Sequence, residues 1–381
     1  VVAYCHKGYF KKALAFIFFY SSLRTLSEGR PDVMGLKFVS RHFVKDLGID
    51  LGTANCLVYE RNRGVIIRGP SVVAVNKSTK QVLAIGEEAR QMIGRTPGDI
   101  VAVRPLREGV IADFDLTREL LRYLIREACK GKLFLKPRVV VSIPSDTTEV
   151  ERRAVVEAAI NAGAREVYLI EEPVAAAIGA DLPVHEPTGN MVIDIGGGTS
   201  DVAVISLGGV VAGRSVRVGG DALDDAIARY IRRAYNLMVG ERTAEEIKLT
   251  IGSVFPLKEE QSMEVRGRDQ VSGLPKTITV TSEEVREVLL EPVSGIVNAA
   301  RTVLERTPPE LVADIIEKDV VMTGGGALLR GLDQLFRKEL GMKVRLATDP
   351  MLSVALGTGK TLEHINLLSR VLVAAKRGTG S

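Results

Sequence analysis

Two aspartates, Asp50 and Asp194, each end an apolar run and stand two residues ahead of a glycine, with a threonine close behind. They lie in IDLGTAN (49–55) and MVIDIGGGTSD (191–201). A strand that ends in Asp-x-Gly can reverse sharply, because glycine takes positive φ at little cost. Without a Cβ, the backbone N–H groups can close around a phosphate oxygen, and the threonine adds a hydroxyl donor. The aspartate is too negative to touch phosphate itself, but it can hold a hydrated Mg2+ that bridges to it. One such turn belongs to any hairpin. Two, one in each half of the chain, predict a single clasp for the phosphates of ATP, with Asp50 and Asp194 on one metal ion.

Further groups complete a pocket. VVMTGGGALLRGL (320–332) predicts a strand, the glycines Gly324, Gly325 and Gly326, and then a helix. Glycine lets backbone approach a flat ligand, and a helix N-terminus favours anions, so the adenosine is placed here. In VYLIEEPVAAAIGA (167–180), Pro173 sits at the favoured start of an alanine-rich helix, which puts Glu172 at a strand-to-helix junction. Its carboxylate either orients and deprotonates an attacking water or complements the helix dipole, and local sequence leaves both open. GTGKT (357–361) looks like the end of a Walker A loop. However, Val354 stands where that loop needs glycine, and no strand-loop context fits.

The elements that must position these groups alternate between strand and helix. SIPSDTTEVERRAVVEAAINAGA (142–164) predicts a strand, a capped helix and a glycine stop. The near-repeat of the two turns predicts two related halves, each opening with a hairpin, in mixed α/β layers. A chain of 381 residues divides into two or more domains, and 46% hydrophobic with 26% charged residues is the composition of an ordinary globular protein.

Cys5, Cys56 and Cys129, and His6, His42, His185 and His364, are scattered, which excludes CxxC, HExxH and a compact His-based triad. A reducing cytosol is the expected compartment. Residues 1–45 hold eight Lys/Arg against two Asp/Glu, leaving 43 against 45 for the rest. A nearly neutral body argues against nucleic acid as a partner. The apolar run Ala13–Tyr20 is too short to span a bilayer and Met34 offers a start, so residues 1–33 are expected to be upstream-translated or disordered rather than a membrane anchor or signal peptide, and 1–42 form a head before the folded body.

From Asp46 to Arg377 the chain resembles the MreB/Mbl family of bacterial actins, through IDLGTAN, RTPG, RPLREGVIADF, IEEPVAAAIGA, DIGGGTSDVAVISLGG, GERTAEEIK, TPPEL and TGGGALLRGLD. The resemblance implies an actin-like ATPase fold, two duplicated RNase H-like halves making four subdomains around a central nucleotide cleft. It implies subdomain IA at 43–73, 107–190 and 351–381 (a helix and tail), IB at 74–106, IIA at 191–224 and 291–350, and IIB at 225–290. ATP and Mg2+ are the implied cofactors. Thr53, Ala54 and Asn55 would line the first phosphate turn, and Gly196, Gly197, Gly198 and Thr199 the second. Nucleoside contacts would fall on Glu245, Glu246, Ile247 and Lys248, and on Gly326, Ala327, Leu328 and Leu329. Glu172, assisted by Thr199, would activate water in a slow hydrolysis.

The same resemblance implies polymerisation into paired protofilaments, on the inner face of the cytoplasmic membrane, with membrane proteins of the cell-elongation machinery as partners and rod shape as the outcome. In KGKLFLK (130–136), Leu133, Phe134 and Leu135 stand between lysines as an interfacial insertion needs, and the basic segment 34–45 offers an alternative. Asp181 departs from the family, which usually has Gly or Asn there. Two rivals are a chaperone ATPase, which needs a substrate-binding domain after the nucleotide domain, and a small-molecule kinase, which needs acceptor residues in the cleft.

Overall fold

A computed structural model describes residues 45–130, 136–363 and 372–377. The expected head, and Leu133, Phe134 and Leu135 with the lipid contact expected of them, lie outside the described residues.

The first half runs β1 (Asp46–Leu51), β2 (Asn55–Glu60), β3 (Gly64–Pro70), β4 (Val73–Asn76), β5 (Val82–Ile85), α1 (Glu87–Met92), β6 (Ile100–Val103), β7 (Leu106–Arg107), β8 (Val110–Ile111), α2 (Phe114–Ala128), β9 (Arg138–Ile143), α3 (Glu149–Ala162), β10 (Glu166–Glu171) and α4 (Glu172–Gly179). The second runs β11 (Asn190–Ile195), β12 (Ser200–Ser206), β13 (Gly209–Val216), α5 (Gly220–Tyr235), β14 (Leu237–Met238), α6 (Glu241–Ile251), β15 (Ser262–Asp269), β16 (Pro275–Thr281), α7 (Ser282–Arg306), α8 (Pro309–Lys318), β17 (Val320–Thr323), α9 (Leu332–Leu340) and β18 (Val344–Leu346). Then follow α10 (Ser353–Glu363) and β19 (Leu372–Arg377).

Two sheets share one plan. The first has the order β3-β2-β1-β9-β10, with β19 added as a sixth strand beside β10, and the second β13-β12-β11-β17-β18. In each, three antiparallel strands meet two parallel ones. The central strands are buried along most or all of their length, as a sheet covered on both faces requires. The duplication read from the two turns is therefore a duplication of topology. Smaller sheets are inserted at equivalent places, β5-β4-β6 before β9 and β14-β15-β16 before β17.

Local signals set the boundaries. Thr148 caps α3 in a reciprocal box with Glu151, and Gly163 ends it at φ 117. This is the strand, helix and stop expected of 142–164. The stretch expected as a C-terminal tail includes β19, which pairs antiparallel with β10.

GTGKT lies inside α10, not in a loop after a strand. α10 returns to the first half and packs on α4 and β1. An apolar cluster of Val140, Ile170, Val192, Ala203, Val354 and Leu362 joins both sheets through these two helices. The approach is close because a Cβ on Gly179 would overlap the Ser353 carbonyl, and one on Gly357 the Ala175 carbonyl. Gly357→Ala should therefore cost about 3 kcal/mol, the upper range for overpacking a core, read as a lower urea midpoint. An unchanged midpoint would show that the helices can slide apart freely.

Candidate functional site

The two Asp-Gly turns touch. Gly52, Thr53 and Ala54 join β1 to β2, and Gly196–Thr199 join β11 to β12. A Cβ on Gly197 would meet Ala54, and one on Gly198 would meet the Thr53 hydroxyl and the Glu108 backbone. Glycine is required at these two positions by contact between the halves. Thr53 Oγ1 accepts from the Gly109 N–H at 3.0 Å. The carbonyls of Gly196 and Gly197 accept from the first N–H groups of α5, Gly220 at 3.0 Å and Asp221 at 2.8 Å. Those donors have no partner within the helix, so the second turn is held by the helix start.

Asp50, Thr53, Ala54, Asn55, Glu172, Asp194, Gly196, Gly197, Gly198 and Thr199 line one cavity of about 600 Å³. Glu245, Lys248, Gly324, Gly325, Gly326, Leu328 and Leu329 line it too. Three predicted contacts do not. Ile247 and Ala327 are buried in the core, and Glu246 is exposed. Four consecutive residues of a helix cannot face one cavity; Glu245 and Lys248, three apart, share a face.

The glycine run also differs from expectation. The segment after Gly325 is a short 3-10 turn, Gly326–Leu328, and α9 begins only at Leu332, after Gly331 at φ 75. No helix N-terminus faces the ligand space here. A Cβ on Gly324 or Gly326 would strike Ile195, whereas beside Gly325 only the Met351 methyl lies within 4 Å. Two of the three glycines thus serve packing against β11.

Four carboxyl groups gather behind the turns. Ser142 Oγ donates to Asp50 Oδ1 at 3.1 Å, and Thr323 Oγ1 to Asp194 Oδ1 at 2.7 Å. Asp201, which carried no role in the sequence reading, stands opposite Asp194 in the β11–β12 register. It is 1% exposed, and its Oδ1 accepts from the Ser145 N–H at 3.0 Å. Glu172, first residue of α4, is 9% exposed. Burial raises Asp50 to about 6, and Asp194 and Asp201 to about 7, with neighbouring carboxylates adding to Asp194 and Asp201. Burial, then Asp201, Asp50 and Asp194, push Glu172 well above the usual range.

Such a cluster costs stability wherever it is ionised without a cation. For raised carboxyl groups, the stabilising contribution is full below the unfolded value near 3.8 and is lost as pH rises through about 6 to 7. Metal-free, nucleotide-free protein should therefore lose Tm between pH 5 and 7.5, and Asp201→Asn should flatten that decline. An equal decline in the variant, measured by scanning fluorimetry in EDTA, would remove these groups as its cause.

Hard carboxylate oxygens suit Mg2+, and Asp50 and Asp194 bring two of them to the lining of one cavity. Among the described residues no three His, Cys, Asp or Glu converge as a ready-made cage. Mg2+ characteristically keeps several waters and takes one or two carboxylates plus phosphate, which two aspartates can supply.

Other lining residues were missed. Arg104, Asp221 and Asp224 border the cavity. Lys248 Nζ donates to Asp224 at 2.8 Å and to the Gly220 carbonyl at 3.0 Å. The run Gly219-Gly220-Asp221 at the start of α5 repeats the glycine-plus-acid signal of the turns and could have been singled out.

The sequence profile of the MreB/Mbl protein family matches residues 44–370. The chain belongs to the MreB/Mbl family. It is 53% identical over 328 residues to the cell shape-determining protein Mbl of Bacillus subtilis (strain 168), covering 86% of this chain and 98% of that one. It is equally 53% identical over 330 residues to the cell shape-determining protein MreB of Escherichia coli (strain K12), covering 85% and 95%. The crystal structure of MreB5 of Spiroplasma citri bound to ADP superposes with a TM-score of 0.81 at 41% identity, covering 85% of this chain and 97% of that one. The same protein bound to AMPPNP gives 0.81 at 40%. The fold is actin-like, and the chain is a bacterial actin homologue of the cell shape-determining family.

Proposed function

We propose that this bacterial actin is a slow Mg-dependent ATPase whose ATP-bound form assembles into paired protofilaments on the inner membrane face. The observation that carries the reading is the contact of two Asp-Gly turns over one cavity that holds Asp50, Asp194 and Glu172. The solved relatives bound to ADP and AMPPNP support a nucleotide as the ligand.

Asp50 and Asp194 would hold the hydrated metal, which supplies charge neutralisation for the phosphates. N–H groups of both turns, with Thr53 and Thr199, would orient the phosphate oxygens. Glu172, whose carboxyl burial raises well above its ordinary range, lines the same cavity and would orient a water and take its proton. Glu245, Lys248, Gly325 and Leu329 are assigned to the nucleoside. The subdomain division at 43–73, 74–106, 107–190, 191–224, 225–290, 291–350 and 351–381 is part of the same reading. It is supported by separate sheets falling in the two inserted segments.

ATP closing the cavity would bias the subunit toward a filament conformation, and hydrolysis would loosen it. The test is sedimentation with ATP, ADP or no nucleotide, with and without anionic liposomes. ATP-dependent pelleting is expected, and its absence at micromolar protein across salt conditions would overturn the filament. Leu133→Ser with Phe134→Ser should lower liposome recovery and leave nucleotide binding alone; unchanged recovery moves the lipid contact to the segment 34–45.

A further inference from the structure

Among the residues lining the cavity, Arg104 has two acidic partners. Arg104 follows β6 and precedes Pro105. One terminal nitrogen lies 3.0 Å from Asp221 Oδ1, in the first turn of α5, and the other 2.5 Å from Glu241 Oε1, the first residue of α6. The side chain is 25% exposed, and its Nε is buried without a partner. Arg104 thus joins the segment inserted in the first half to two helices of the second.

A second cavity of about 360 Å³ shares Ala54, Asn55, Arg90, Arg104 and Glu245 with the first. Arg90 of α1 reaches Glu245 of α6 at 3.5 Å, and Arg217 reaches Glu108 at 3.1 Å. Those two pairs are more exposed than Arg104, and exposed pairs contribute little. Arg104 differs because a rigid planar fork, partly desolvated, bridges two elements at once, a geometry that lysine cannot reproduce with its single ammonium.

We propose that Arg104 is a positioning residue that latches the cavity shut, and thereby sets how long a bound nucleotide stays. The first clause stands on the ion pairs alone; the second rests on the nucleotide reading of the cavity. Wild-type opening should increase with salt, because screening weakens pairs that are not fully buried.

The experiment measures both clauses. Spin labels are placed at the exposed turn residues Ser78 and Ser272, with Cys5, Cys56 and Cys129 replaced by alanine, and their distance distribution is recorded without ligand. Arg104→Ala should lengthen or broaden it at low salt, Arg104→Lys should restore it in part, and high salt should shift wild type toward the alanine variant. An identical distribution in wild type and Arg104→Ala overturns the latch. In parallel, a fluorescent Mg–ATP analogue is chased from each protein. Dissociation should be about fivefold faster in Arg104→Ala and rise with salt in wild type only. A distance change without a change in that rate overturns the second clause. If wild type binds no analogue while the distances respond, the latch stands and the nucleotide reading falls.

Discussion

Asp194→Asn is expected to weaken Mg-dependent nucleotide binding by about a hundredfold, or about 3 kcal/mol, the scale for removing one partner of a buried ionic contact. Asparagine keeps an acceptor for the Thr323 hydroxyl, so the local hydrogen bond at 2.7 Å survives. The metal-free fold should gain from the change. Asp194 is buried among Asp50, Asp201 and Glu172, and removing one negative charge relieves the other three. The predicted signature is thus a variant that melts no lower than wild type in EDTA at pH 7.5 and gains no Tm from Mg–ATP. Titration with a fluorescent nucleotide, with and without Mg2+, measures the first part. Retained Mg-dependent affinity would place the ion elsewhere and remove the basis of the nucleotide site.

Glu172→Ala should leave nucleotide affinity within a few-fold of wild type and lower phosphate release by about a hundredfold or more, the usual contribution of a positioned general base. The separation of effects follows from position. The phosphate turns belong to β1–β2 and β11–β12, whereas Glu172 opens α4 and reaches the cavity from the sheet junction. Single-turnover phosphate release with saturating Mg–ATP gives the rate free of exchange. A wild-type rate would leave Glu172 as an acid complementing the start of α4.

That Asp50, Asp194 and Glu172 meet at one cavity was legible in the sequence. Asp50 and Asp194 could be found because the turn that needs them also needs glycine and threonine beside it, and all of these are local. Glu172 could be found because Pro173 marks a helix start. Asp201 sat within the quoted string but was not assigned, although the antiparallel register across a four-residue loop pairs it with Asp194 on one face. Arg104 had no such signal, since its partners come from elements far along the chain. The contiguous assignment of Glu245 to Lys248 ignored helical spacing, which by itself separates Ile247 from Glu245 and Lys248. The glycines at 324 and 326 were read as room for a ligand because their packing partner, Ile195, belongs to a distant strand.

The return of α10 to the first sheet bears on how the chain is made. Tyr59 on β2 donates to Glu363 at 2.9 Å across 304 residues, and Gly48 on β1 packs against Thr358. Among the described residues, the first strands in chain order are thus completed by the last helix. Until residues 353–363 are made, β1 and α4 lack that cover, so an apolar flank stays open while the intervening residues are synthesised. Such non-local closure slows folding and exposes the nascent chain to aggregation.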